Sequence, residues 1–119
     1  MLNKPKYSIF ANASYAIKGL MDLIKTESSF KLEIIVLFIS IFIIIFIDKS
    51  MIEKLFLFSS IMLILIVEAL NGAIERVVDL VSPEYNELAG RAKDAGSSAV
   101  FISVMLAIIV WGVIIIPIH

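Results

Sequence analysis

The chain has 119 residues, 61% of them hydrophobic, and a mean hydropathy of +1.03. Ordinary soluble domains are about half apolar, so this composition excludes one and indicates an integral membrane protein. A formal charge of −1 selects no partner, nucleic acid included, and zero cysteines with one histidine exclude disulfides, thiolate nucleophiles and Cys- or His-based metal clusters.

Taken in chain order, the first 33 residues contain no apolar leader core, so no cleavable signal is expected and the spans target themselves. Over about 5–27, Ile9, Phe10, Ala13, Ala16, Ile17, Leu20, Leu23 and Ile24 recur at helical spacing between Asn12, Lys18, Asp22 and Lys25. This predicts an amphipathic surface helix with its apolar face in lipid; the competing reading is a helix packed on a soluble partner. Ser28 and Ser29 are expected to break the chain before Phe30.

The uncharged run 34–47 has only 14 residues, whereas a span needs about 20. The first span therefore takes in its flanks, about 29–48, with Lys31 and Lys49 snorkelling to the interfaces. Residues 48–54 read as a short outer turn without chemistry. A second span covers 55–74 within a helix of about 52–81, where Ala69, Gly72 and Ala73 permit close helix approach. At its exit Arg76 and Asp79 lie one turn apart and could pair.

Ser82 and Pro83 supply an expected N-cap and first helical position for the next segment. Within that segment, about 83–118, Gly90 is expected to break or bend the chain, and 95–118 forms the third span. Ala99, Ser103 and Ala107 make a small-residue packing seam along it. Lys4, Lys6, Lys18, Lys25, Lys31, Arg76, Arg91 and Lys93 lie on one side against Lys49 and Lys54 on the other, which puts the N-terminus and second connection in the cytoplasm. The expected fold is one all-α membrane domain: a surface helix plus three transmembrane helices in a bundle.

Three polar residues interrupt the second span. Glu68, Asn71 and Glu75 fall within about 60° of one another on a helix, and Asp79 continues their stripe towards the cytoplasm. A charge inside lipid costs about 2.5–3.5 kcal/mol on insertion scales, so such a residue marks function by default. A deep, desolvated carboxylate suits a proton acceptor; one near the surface suits Mg²⁺ with phosphate oxygens. Interhelix hydrogen bonding is the plainer alternative for these groups, above all for Asn71.

Lys93, with Arg91 and Asp94 beside it, puts a cation at the rim where the stripe emerges. Lysine there anchors a helix or binds phosphate as a point charge. Glu27, at the cytoplasmic level of Glu75, could complete a carboxylate pair around a divalent cation. Three helices shield such a stripe poorly, which favours a homo-oligomer. Soluble-kinase nucleotide motifs are absent from the sequence. A small proton or cation channel lined by Glu68, Asn71 and Glu75 is the alternative of another class.

The string VEALNGAIERVVDLVSPEYNELAGRAKDAGSSAV at 67–100, with YAIKGL at 15–20 and ESSFKLE at 27–33, resembles the prokaryotic integral-membrane diacylglycerol kinase family. The resemblance covers nearly the whole chain and implies a homotrimer in the bacterial cytoplasmic membrane that phosphorylates diacylglycerol with ATP and Mg²⁺. It implies Glu68 as catalytic base with Asn71 orienting it, and Glu27 and Glu75 as metal and nucleotide ligands. Lys93, Asp94, Tyr15, Glu84, Tyr85 and Asn86 are the other implied nucleotide contacts, and Phe30, Glu33, Glu68, Ser97 and Trp111 the lipid contacts.

Two departures stand out: Ser8 lies where an arginine is expected to touch nucleotide, and Asn86 replaces the histidine of an EYHEL pattern. A related branch phosphorylates undecaprenol, but GRAKDAGSSAV resembles the diacylglycerol branch.

Overall fold

The computed structural model describes residues 8–117; the expectations for 5–7, Lys4, Lys6 and 118 lie outside them. The described residues form four helices and no strand: α1 (Ile9–Thr26), α2 (Ser28–Phe46), α3 (Met51–Val81) and α4 (Glu87–Ile115). The last three are long and apolar enough to cross a membrane. The chain is therefore an all-α membrane protein with three spans and an amphipathic N-terminal helix.

Helix starts follow capping chemistry. Ser8 caps α1, its Oγ accepting the Ala11 N–H at 3.3 Å, so the residue standing in for the expected arginine has a local structural task. Ser50 and Glu53 form a reciprocal capping box at the start of α3, with bonds of 3.2 and 3.0 Å.

The break between α1 and α2 is at Glu27, not at Ser28 and Ser29. Glu27 alone is extended, with φ −114° and ψ 108°. Its N–H still bonds the Leu23 carbonyl and its carbonyl accepts from Lys31, so one residue turns the chain with both of its own backbone groups paired. Both serines consequently belong to the first turn of α2.

The expectations for Ser82, Pro83 and Gly90 are also corrected. Ser82 ends α3, and α4 is capped by Asn86, whose side chain accepts the Ala89 N–H at 3.1 Å. Asparagine in extended backbone is a strong N-cap, and Pro83 lies in the connection ahead of it. The Gly90 N–H bonds the Asn86 carbonyl, and α4 continues through it.

At 1.5 Å per residue, the 31 residues of α3 reach about 46 Å, beyond the roughly 30 Å hydrocarbon core. The excess length lets its C-terminal turns carry the shallower end of the polar stripe beyond the apolar layer. Inside, α3 is the hub, packed most extensively on α4 and then on α2. Ile61, Ile64 and Ala107 form the core with Leu37, Val104 and Trp111.

The seam of α4 is Gly96, Ser103 and Ala107, all buried, whereas Ala99 is exposed. On a helix Ser103 and Ala107 lie within about 20° of Gly96 and Ala99 about 60° away, so the expected seam keeps Ser103 and Ala107 and takes Gly96 in place of Ala99. Phe38, Phe42, Phe46, Phe101 and Ile108 remain exposed, the ordinary condition of side chains that face lipid or a further protein surface.

Candidate functional site

The stripe on α3 becomes a set of specific contacts. Glu68 and Asn71 are each only 8% exposed. Glu68 Oε1 accepts a hydrogen bond from Ser29 Oγ at 2.5 Å, joining α3 to the first turn of α2. Asn71 Nδ2 donates to Glu75 Oε2 at 3.3 Å, linking the deep end of the stripe to its shallower carboxylate.

Two acceptors in this region are buried and unpartnered among the described residues: Asn71 Oδ1 and Glu33 Oε1. Burial without a partner costs about 1–3 kcal/mol per polar group, so two together mark a place that an external donor would improve. Glu33 also lies close enough to Glu68 for their like charges to repel. The α4 side of Asn71 is formed by Gly96, where an added Cβ would run into Asn71 Oδ1 and lie 3.3 Å from its Cγ. Glycine is required by this approach rather than by a turn, since its φ is negative.

Arg76 does not pair with Asp79. Its guanidinium reaches α1 instead, donating to Asp22 Oδ2 and Thr26 Oγ1 at 2.9 Å each and to the Gly72 carbonyl at 3.1 Å; Glu27 Oε2 is 3.8 Å away. Spacing along one helix favours the Arg76–Asp79 pair, but α1 returns over α3 with several acceptors at once. Asp79 is left for Lys93 of α4, at 2.6 Å. Glu27 and Glu75 are thus both at this end of the bundle, one beside Arg76 and the other beside Asn71.

An open cavity of about 350 Å³ lies at the α3–α4 connection. It is lined by Asp79, Glu84, Tyr85, Asn86, Gly90 and Lys93 among others, so four of the residues implied as nucleotide contacts share one recess. Tyr15, on the exposed side of α1, is not among its walls. Asp94 and Ser97 are exposed on α4, two residues before and one after the buried Gly96. Phe30 is buried at 2%, and Trp111 is held far from Glu68, its Nε1 donating to Ser60 Oγ at 3.1 Å and to the Leu57 carbonyl at 3.3 Å. Eight residues of α3 separate Ser60 from Glu68, about 12 Å of helix.

Sequence reading missed Ser29, Gly96 and the reach of Arg76 to α1. Ser29 carries no local signal, because its partner is 39 positions away. Gly96 had one: a glycine inside an apolar helix often marks close approach. No group of three or more His, Cys, Asp or Glu poised for a metal ion occurs among the described residues.

Three spans, a buried carboxylate beside unpartnered acceptors, and a polar recess further along α3 define a helical membrane protein with a polar site. The sequence matches the family model described as "Prokaryotic diacylglycerol kinase" over residues 14–115. It is 44% identical over 103 residues to the diacylglycerol kinase of Escherichia coli K12, covering 87% of this chain and 84% of that protein. To the diacylglycerol kinases of Haemophilus influenzae and Pseudomonas aeruginosa it is 40% and 33% identical, over 85% and 84% of this chain and 86% and 81% of theirs. The chain belongs to the prokaryotic diacylglycerol kinase family, and it is accordingly an enzyme: a membrane-embedded kinase of lipid metabolism.

Proposed function

We propose that the protein transfers the γ-phosphoryl group of ATP to the primary hydroxyl of diacylglycerol, giving phosphatidic acid, at the cytoplasmic face of the bacterial inner membrane. The observation that carries this reading is the depth of Glu68: a nearly buried carboxylate in a membrane helix, one end of a polar stripe that rises through Asn71 and Glu75 to the Lys93 rim. A lipid hydroxyl stays near the bilayer surface, so a base must be buried there to meet it, while the nucleotide comes from water.

In this reading Glu68 takes the hydroxyl proton as the oxygen attacks the γ-phosphorus. The new P–O bond forms while the bond to the β-phosphate oxygen breaks, and ADP leaves with that electron pair. Asn71, one turn beyond the base on α3, donates to Glu75 and would help to orient Glu68. Lys93 stands at the cavity that would receive nucleotide, beside Glu84, Tyr85 and Asn86, and a phosphate would compete with Asp79 for its ammonium.

Glu27 and Glu75 would hold Mg²⁺. The donor chemistry fits: Mg²⁺ takes hard oxygens and uses one or two carboxylates plus phosphates and water, and Glu27 and Glu75 each have one carboxylate oxygen outside the contacts with Arg76 and Asn71. When bound, the ion neutralises charge on the phosphates. The amphipathic α1 would cover the route by which lipid arrives from the bilayer, with the N-terminus cytoplasmic and three chains shielding the stripe as a homotrimer. Phe30, Glu33, Ser97 and Trp111 are the proposed lipid contacts, and Tyr15 and Asp94 further nucleotide contacts.

Purified protein in mixed micelles, given labelled ATP with diacylglycerol or undecaprenol in separate reactions, tests the assignment. Label in diacylglycerol is the expected result; label confined to undecaprenol moves the chain to the other branch. Transfer to neither lipid refutes both.

A further inference from the structure

We infer that Ser29 is a positioning residue for Glu68, fixing one carboxylate oxygen of the base so that the other is presented to the lipid hydroxyl. The inference rests on the reading of Glu68 as the base. Its observation is the 2.5 Å hydrogen bond from Ser29 Oγ to Glu68 Oε1, the sole hydrogen bond to the Glu68 carboxylate among the described residues.

Three features make this contact more than chance neighbourhood. The extended Glu27 ends α1 and starts α2 one residue before the serine pair, which sets Ser29 in the first turn of α2 opposite α3. The positive end of the α2 dipole favours an anion at that turn, and a hydroxyl donor to a carboxylate makes a short, charge-assisted bond. Glu33 of the same helix also has a buried, unpartnered carboxylate oxygen, so Ser29 is the donor that α2 offers to Glu68. An unrestrained carboxylate samples several rotamers, and only those near the incoming hydroxyl are productive.

Ser29 donates its own proton to Glu68 and therefore does not take one from substrate. Its effect is confined to where Glu68 points. Removing it should slow the chemical step and leave nucleotide recognition alone, because the recess with Lys93 and Asn86 belongs to α3 and α4.

The test compares wild type, Ser29→Ala, Ser29→Thr and Glu68→Gln as full-length protein in diacylglycerol mixed micelles, measuring kcat and the KM for ATP. Ser29→Ala should lower kcat about 10- to 100-fold, the scale of a lost hydrogen bond to a charged group, with the KM for ATP unchanged. Ser29→Thr, which keeps the hydroxyl, should restore most of kcat. An unaltered kcat in Ser29→Ala, an equal loss in Ser29→Thr, or a loss expressed in the KM for ATP overturns the role of Ser29. Failure of the underlying reading looks different: Glu68→Gln would then turn over like wild type whatever Ser29 does.

Discussion

Two polar clusters are buried along α3, one against α4 and one against α2, and are built on opposite principles. At Ser60 every polar valence closes within the protein: Ser60 Oγ donates to the Leu57 carbonyl at 2.8 Å and accepts from Trp111 Nε1, which also reaches that carbonyl. Around Glu68 the valences are left open, with Asn71 Oδ1 and Glu33 Oε1 buried and unpartnered. The first cluster is what helix–helix adhesion in an apolar medium looks like. The second is unstable by itself and becomes sensible only beside a further reactant. Burial of polar groups in a membrane helix therefore does not separate packing from chemistry; the count of unsatisfied atoms does.

The contrast can be broken by substitution. Glu68→Gln preserves shape and can still accept from Ser29, so thermal stability should hold within about 1–2 kcal/mol while turnover in mixed micelles falls at least about 100-fold. Persisting turnover would make the Glu68 cluster as structural as the Ser60 one. Gly96→Ala places a methyl group against Asn71; it should destabilise the protein by about 1–3 kcal/mol in thermal unfolding and slow turnover by rotating Asn71 away from Glu75. A neutral outcome would show that the Asn71 amide moves freely.

Ser60→Ala sharpens the other side of the comparison. Trp111 keeps the Leu57 carbonyl as acceptor, so about 1 kcal/mol of stability should be lost with no change in kcat. The smallest effect is expected for Arg76→Gln. Its ion pair with Asp22 is about half exposed on both partners, and exposed pairs contribute less than about 1 kcal/mol, less still in high salt. What should change is local: amide hydrogens of α1 exchange faster, because the guanidinium ties Asp22 and Thr26 to α3.

Fold and chemistry were legible to different depths. Three apolar runs give three spans, since length and hydropathy alone decide what can cross a bilayer. Periodicity likewise gave the amphipathic helix and the shared face of Glu68, Asn71 and Glu75. Local reading failed at junctions and at partners. It put the first break on two serines because serine commonly ends or caps helices, whereas Glu27 makes the turn. It offered Asp79 to Arg76 because neighbours on one helix are all that spacing reveals, and the real partners arrive from α1 and α4.

By itself the sequence determined a membrane protein of three spans with carboxylates stationed on one helix face, for hydrophobicity and helical period are local properties of the chain. Only the tertiary structure decided that Ser29 holds Glu68, that Gly96 yields its side-chain space to Asn71, and that Asp79 belongs to Lys93. Those pairings join residues 14 to 39 positions apart, and such contacts are fixed by how close the helices pack and at what angle they meet.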